Sequence, residues 1–224
     1  MSLTTAAQRA TPVLARFTER MVGGVTAVTG AEPVDVPGRA DAVGDDIVAQ
    51  ARAAGLGVPA PSRVLDLDGL ELRVGVVPDG RDGYRSTVER GSARGLQGFS
   101  ARPVLAGFAD LLPRGGPGDR RMYYRLVVGP VDDPLLVEGV KVIRGSRLRV
   151  WQQTTTLYTR VSTLASEHDI ETVVARPDRP LVGVVPVAAG VLRIRPADLV
   201  RQVLSMRGRI PRFLVGFAWR LAVR

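Results

Sequence analysis

The chain contains no cysteine. Disulfides, thiolate metal sites, iron–sulfur clusters and cysteine nucleophiles are thereby excluded. Histidine occurs once, as His168 in the polar segment ASEHDIE, and no GxSxG is present to seat a Ser-His-Asp triad. No GxGxxG opens a helix and no Walker sequence occurs, so nucleotide binding is not expected. RGGPGDRR (Arg114–Arg121) is glycine-rich and basic, but no helix follows it, and it reads as a loop between strands. Acids and histidines do not converge at metal-ligand spacing. The expectation is a protein with no cofactor and no metal. No stretch approaches the roughly 18 uninterrupted apolar residues of a membrane-spanning helix, so stable membrane insertion is not expected. MSLTTAAQRATPVLARF lacks the apolar core of a secretory signal, which with the missing cysteine suggests a cytoplasmic protein.

What is present is a chain of 224 residues, 45% apolar, long enough for one domain with a substantial core. Its net charge of +9 is unevenly placed. From Arg193 to Arg224 there are eight arginines against one acid, Asp198, so this segment supplies +7 of the total. The remainder is nearly neutral, which argues against a nucleic-acid partner. Arginine dominates the cations and Ala, Gly and Val are abundant, the composition of a GC-rich bacterial genome.

Residues 1–11 read as a loose end. VLARFTERMVGGV (Val13–Val25) alternates as a strand ending at Gly23-Gly24, with Val13, Ala15, Phe17, Glu19 and Met21 on one side. GAEPVDVPGRADAVGD reads as loop, and DDIVAQARAAG predicts a helix over about 44–54. RVLDLDGLELRVGVV (Arg63–Val77) alternates on each side of Asp68-Gly69, a hairpin signal. YRSTVERGSARG and ARPVLAGFADLL are weaker strands. Arg121–Val128 and Leu135–Ile143 flank the turn GPVDDP, and a GSR turn leads to LRVWQQTTTLYTRVS, read as the third strand of a meander. PADLVRQVLSM, with proline at its first position, and IPRFLVGFAWRLAV are expected helices. The predicted fold is mainly β. It is a single domain over 1–224, with an antiparallel β-barrel (lipocalin-like or related) or closed sandwich over 12–191 and a helical segment over 192–224 packed on it.

Threonine favours strands because its branched Cβ suits a pleated surface. As a strand, one face from Val150 carries Gln152, Thr154, Thr156, Tyr158 and Arg160. The other carries Trp151, Gln153, Thr155, Leu157 and Thr159. Both faces mix polar and aromatic groups, as does the wall of a ligand cavity. Two readings stay open: polar residues on an outer barrel face, or a pocket. In the pocket reading Gln153, Glu138 and Tyr124 are the candidate catalytic residues. Trp151, Thr155, Tyr158, Met122 and Lys141 are the candidate substrate contacts. Gln153 is the foremost of these, as a neutral amide able to polarise a substrate carbonyl in an apolar site.

FTERMVGG, MYYRLVV, EGVKVIRG, WQQTTTLYTRV and GVLRIRPADLVRQVLSMRG, in that order, resemble a domain attached to bacterial cholesterol-oxidase-like flavoenzymes of the GMC oxidoreductase family. The match runs from Phe17 to about Met206. Gln153 stands where that pattern has an acid, and the flavin-binding domain is missing, so the oxidase activity does not carry over. The resemblance implies a β-rich domain associated with steroid-like or polyketide-like molecules.

Two functions follow as expectations. One is a cofactor-independent cyclase or isomerase of secondary metabolism, acting on an apolar polyketide- or terpenoid-like substrate in a barrel cavity, with cycloaddition as one form. Such an enzyme gains rate by holding a reactive conformer and by hydrogen bonds to developing charge. The other is a non-catalytic steroid- or lipid-binding accessory protein of a flavin oxidase. The partner in either case is a hydrophobic small molecule, and self-association as a homodimer is left open. The basic amphipathic helix near 211–222, with Phe213, Leu214, Phe217, Ala218 and Leu221 on one face and Arg212 and Arg220 at its flank, is expected to pack on the barrel; a membrane or partner surface is the alternative.

Overall fold

The computed structural model describes residues 13–36, 44–56, 63–76, 82–96, 101–116, 119–144, 149–164, 170, 173 and 180–222. His168 and residues 1–11 lie outside the described residues.

Period-two alternation builds the wall. In β1 (Val13–Ala27), Phe17, Glu19 and Met21 turn inward while Arg16 and Thr18 face out. The strand runs through Gly23-Gly24 rather than stopping there. β2 (Val34–Val36) is a short strand inside the segment expected to be loop, and helix α1 (Asp45–Leu56) follows with an acidic first turn. The expected hairpin at Asp68-Gly69 is a correction. Arg63–Val76 is one continuous strand, β3. Its inward leucines fall at 65 and 67, then at 70 and 72, a phase slip of one residue. Gly69, at φ 63°, absorbs the extra residue as a bulge, and pairing steps from Asp68–Ser92 to Glu71–Arg90. Both halves therefore keep one face inward and share the same neighbours.

β4 (Tyr84–Arg94), β5 (Arg102–Gly116), β6 (Asp119–Val128) and β7 (Leu135–Arg144) continue the antiparallel meander. A short helix, α2 (Val150–Thr155), precedes β8 (Thr156–Thr163). β9 (Leu181–Arg193), a strand the sequence reading passed over, pairs with β8 along its length and with β1 from Val22–Arg193 to Ala27–Ala188. That last pairing closes an eight-stranded antiparallel barrel. Strands approach closely at this seam: a Cβ at Gly23 would collide with the Val191 carbonyl, and one at Gly190 with that of Gly24. Pro186, which masks the strand signal in the sequence, sits where the β8–β9 register slips.

The two walls differ in cover. The outer faces of β3 and β4 carry half-buried to exposed charges such as Arg73 and Arg90. Every residue of β6 is buried, because α1, β2 and the side chains of Leu164, Ile170 and Val173 cover that side through two small apolar clusters.

One end of the barrel is capped by α2, by α3 (Pro196–Ser205), by the two-residue strand β10 (Arg207–Gly208) on β1, and by α4 (Ile210–Ala222). α4 packs on the barrel through Phe213. Phe213 is buried against Phe17, Tyr84 and Phe217, with ring centroids 5.3–6.3 Å apart. Arg220 anchors the helix through Asp82 (3.0 Å) and the Tyr84 hydroxyl (2.8 Å).

The threonine block is the second correction. Trp151–Thr155 form a helical turn, not a strand. Hydroxyls of Thr154, Thr155 and Thr156 donate to the carbonyls of Trp151 and Gln152 at 2.8–3.1 Å, back-bonding that closes the turn in place of ladder hydrogen bonds. The strand starts only at Thr156.

Candidate functional site

An apolar cavity of about 210 Å³ opens between the barrel end and its helical cap. Its floor comes from inward positions of β1, β5, β6 and β7: Phe17, Leu111, Met122, Tyr124 and Lys141, with Glu19 among them. Its roof comes from the cap, with Thr155, Leu199, Met206 and Phe213 over the space and Trp151, Val203 and Leu214 at the exposed rim.

Three polar side chains sit together on that floor. Lys141 Nζ donates to Glu19 Oε1 at 2.6 Å, and the Tyr124 hydroxyl donates to Glu19 Oε2 at 3.0 Å. The ammonium also lies 5.0 Å from the centre of the Tyr124 ring. Glu19 is 2% exposed and Lys141 1%. Burial, and then the Glu19 carboxylate, push the Tyr124 phenol well above its ordinary range, so it stays a neutral donor. Lys141 is the single lysine of the chain; the other 30 basic residues are arginines. Lysine places a compact charge with three donors on a flexible stem, where arginine would present a wide planar fork. One Lys141 donor is engaged by Glu19.

A second buried cluster lies on the other side of the same wall. Arg160 donates to Glu138 Oε2 through Nε (3.0 Å) and Nη2 (2.8 Å), and its Nη1 reaches Asp46 on α1 at 2.7 Å. The Tyr123 hydroxyl donates to Glu138 Oε1 at 2.6 Å, and Arg125 Nε to the Tyr123 oxygen at 3.0 Å. Glu138 and Arg160 are fully buried beneath α1.

Five of the eight residues singled out from sequence line the cavity: Tyr124, Met122, Lys141, Trp151 and Thr155. Three do not. Glu138 points outward into the cluster under α1, because it stands an odd number of positions from Lys141 on one strand. Tyr158 is likewise on the outer face, with the Arg52 guanidinium 5.4 Å over its ring. Gln153 lies on α2 with both amide atoms committed to backbone: Nε2 donates to the Arg144 carbonyl (2.9 Å) and Oε1 accepts from the Arg144 N–H (3.1 Å). It fastens α2 to the end of β7, so the carbonyl-polarising role assigned to it fails with the strand alternation behind it. Glu19 was missed. A carboxylate between Phe17 and Met21 on the apolar side of β1 was its signal.

No helix among the described residues is long and apolar enough to cross a membrane, and no group of three or more His, Asp or Glu side chains among them is placed to hold a metal. No protein-family model, curated protein or solved structure matches the chain.

Proposed function

We propose that the cavity binds an apolar small molecule bearing a carbonyl group, and that the protein is a cofactor-independent cyclase in which Lys141 polarises that carbonyl. The observation that carries the reading is the lone lysine, buried with Glu19 and Tyr124 on the floor of an otherwise apolar cavity. A buried ion pair contributes little net stability compared with well-packed apolar residues, so packing alone does not account for it. An N–H of Lys141 directed at a carbonyl oxygen would strengthen as negative charge develops there during ring closure. Glu19 and Tyr124 act as positioning residues: the carboxylate accepts from both and fixes where the ammonium stands. No proton needs to change hands, so the lack of a free acid or base at the floor is no obstacle. At about 210 Å³ the cavity is smaller than the roughly 300 Å³ lower bound of drug-sized sites, which favours a small ring system, or the reacting end of a longer polyketide- or terpenoid-like chain emerging past Trp151.

A second reading is a binder without chemistry, such as a steroid- or lipid-binding accessory of a flavin oxidase. Occupation of both Glu19 oxygens by protein donors favours it, since nothing at the floor then needs to react.

The test compares a bicyclic enone with the saturated hydrocarbon of the same skeleton, by calorimetry and by displacement of an apolar dye. Wild type should prefer the enone by roughly ten- to a hundredfold, the worth of one hydrogen bond from a charged donor. Lys141→Met should abolish the preference while hydrocarbon affinity stays. In a cyclisation assay on polyene carbonyl compounds, the same change should lower the rate by roughly a hundred- to a thousandfold. An unchanged enone preference in Lys141→Met would overturn the role of the lysine. Binding with no turnover of any such compound would leave the accessory reading.

A further inference from the structure

The cap leaves an unusual surface outside the cavity. Of eleven large apolar residues exposed among the described residues, seven lie on α2, α3 and α4: Trp151, Val200, Val203, Leu204, Leu214, Val215 and Trp219. α4 has no polar side chain from Phe213 to Trp219. Its Phe213–Phe217–Leu221 stripe packs on the core, while Val215 and Trp219, one turn apart, stand 71% and 67% exposed on the other side. A helix apolar all round is ordinarily covered all round. On α3, Val200, Val203 and Leu204 repeat the pattern at helical spacing.

The exposed charge along the segment that carries α3 and α4 has one sign. Between Arg193 and Ala222 six arginines are exposed: Arg193, Arg195, Arg201, Arg207, Arg209 and Arg212. The one acid there, Asp198, is buried and bonded to Arg201 at 3.1 Å. Arg207 Nη1 is engaged by the carbonyls of Leu204 and Met206. Both tryptophans of the chain belong to this surface, and tryptophan settles where an apolar body meets a wet, polar boundary.

We infer that the α2–α3–α4 cap is a docking surface for an anionic lipid bilayer, with the tryptophans and aliphatic side chains entering the headgroup boundary and the arginines meeting lipid phosphates. A protein partner would also take apolar contacts. Six exposed arginines between Arg193 and Ala222 without one exposed acid in that segment, however, are complementary to a surface of negative charge, and the nearby acids Asp82 and Asp45 are paired with Arg220 and Arg144. The α4 face has the composition of an interfacial helix. The inference does not rest on the chemistry proposed for the cavity, although the cavity mouth, with Trp151, Val203 and Leu214 at its rim, opens on the same surface.

The experiment is co-sedimentation of the full chain with vesicles of phosphatidylcholine alone and of equal parts phosphatidylcholine and phosphatidylglycerol, with tryptophan emission recorded in parallel. Binding should be confined to the anionic vesicles, weaken as salt is raised, and shift the emission to the blue. Arg209→Gln combined with Arg212→Gln should weaken partitioning by about twenty-five-fold, near fivefold for each arginine at an anionic surface. Val215→Asp should abolish the blue shift while the circular dichroism of the barrel and apolar-dye binding in the cavity stay unchanged. Failure to bind either vesicle, or equal salt-insensitive binding to both, would overturn the inference. So would a dimer, seen without vesicles, that Val215→Asp disperses: the face would then join two copies of the chain.

Discussion

Two sides of one barrel wall carry nearly the same trio. Inside, Glu19 accepts from Lys141 and Tyr124; outside, Glu138 accepts from Arg160 and Tyr123. Each has a glutamate, a cation and a phenol, and each is almost completely removed from solvent. The cation differs, and so does what lies beyond it. Arg160 fills its fork, two donors on Glu138 and one on Asp46, and so ties α1 to the barrel. Lys141 has an open apolar space in front of its charge, with the cap helices across that space rather than packed onto it. Burial and charge pairing alone thus do not mark a functional group. The unfilled volume beside Lys141 is what supports the proposal made for it.

The largest expected effect separates the two trios by stability. Arg160→Met leaves Glu138 buried with Tyr123 as its principal partner and should cost about 3–5 kcal/mol in chemical denaturation. The matched Lys141→Met leaves Glu19 facing a cavity that water can enter, and should cost less than about 2 kcal/mol. Equal losses would erase the distinction drawn here.

A second measurement probes what the trios share. Burial first, and then the neighbouring glutamate, raise both Tyr123 and Tyr124 well above the ordinary phenol value of 10.0. A raised folded-state value means that the stability it carries is full below the unfolded value and is lost as pH climbs above it. Alkaline titration followed by phenolate absorbance should therefore show two of the four tyrosines ionising only together with loss of the barrel's circular dichroism. Should Tyr124 ionise alone, ahead of unfolding, the inner trio would be the wetter of the two.

The smallest expected effect lies at the rim of the outer trio. Burial works to raise the Asp46 carboxyl, but the Arg160 guanidinium outweighs it and holds the group below its ordinary 3.8. Its stabilising share is present above the unfolded value and fades as pH falls through the folded one. The Asp46 side chain is half exposed, so Asp46→Asn should cost only about 0.2–1 kcal/mol at neutral pH. The gap between variant and wild type should close in acid.

Much of this was legible from residue order. The alternation in β1, β6 and β7 and the turn GPVDDP point to an antiparallel barrel, and Pro196 and the apolar spacing after it mark α3. Glu138 and Lys141, three positions apart on one strand, belong on opposite faces by the two-residue period alone, so assigning both to one pocket broke a rule the sequence already held. Lys141 carried a further mark as the only lysine among 31 cations. The threonine block was not legible in the same way. β-Branched propensity argued for a strand, while the outcome was set by hydroxyls finding carbonyls one turn back and by Gln153 fastening the turn to Arg144. The hairpin expected at Gly69 failed because glycine in the left-handed region serves a bulge as readily as a turn.

The seam between β1 and β9 sets the order in which the protein can be made. Val22 pairs with Arg193, and Ala15 with Gly208, so β1 finds these neighbours only after all the intervening strands have been made. Until then β1 offers one edge of unpaired backbone groups, flanked by side chains destined for the core, to whatever is nearby. Ring closure over such sequence separation is slow, so folding rate, more than final stability, is where this architecture is exposed to chaperones and to aggregation.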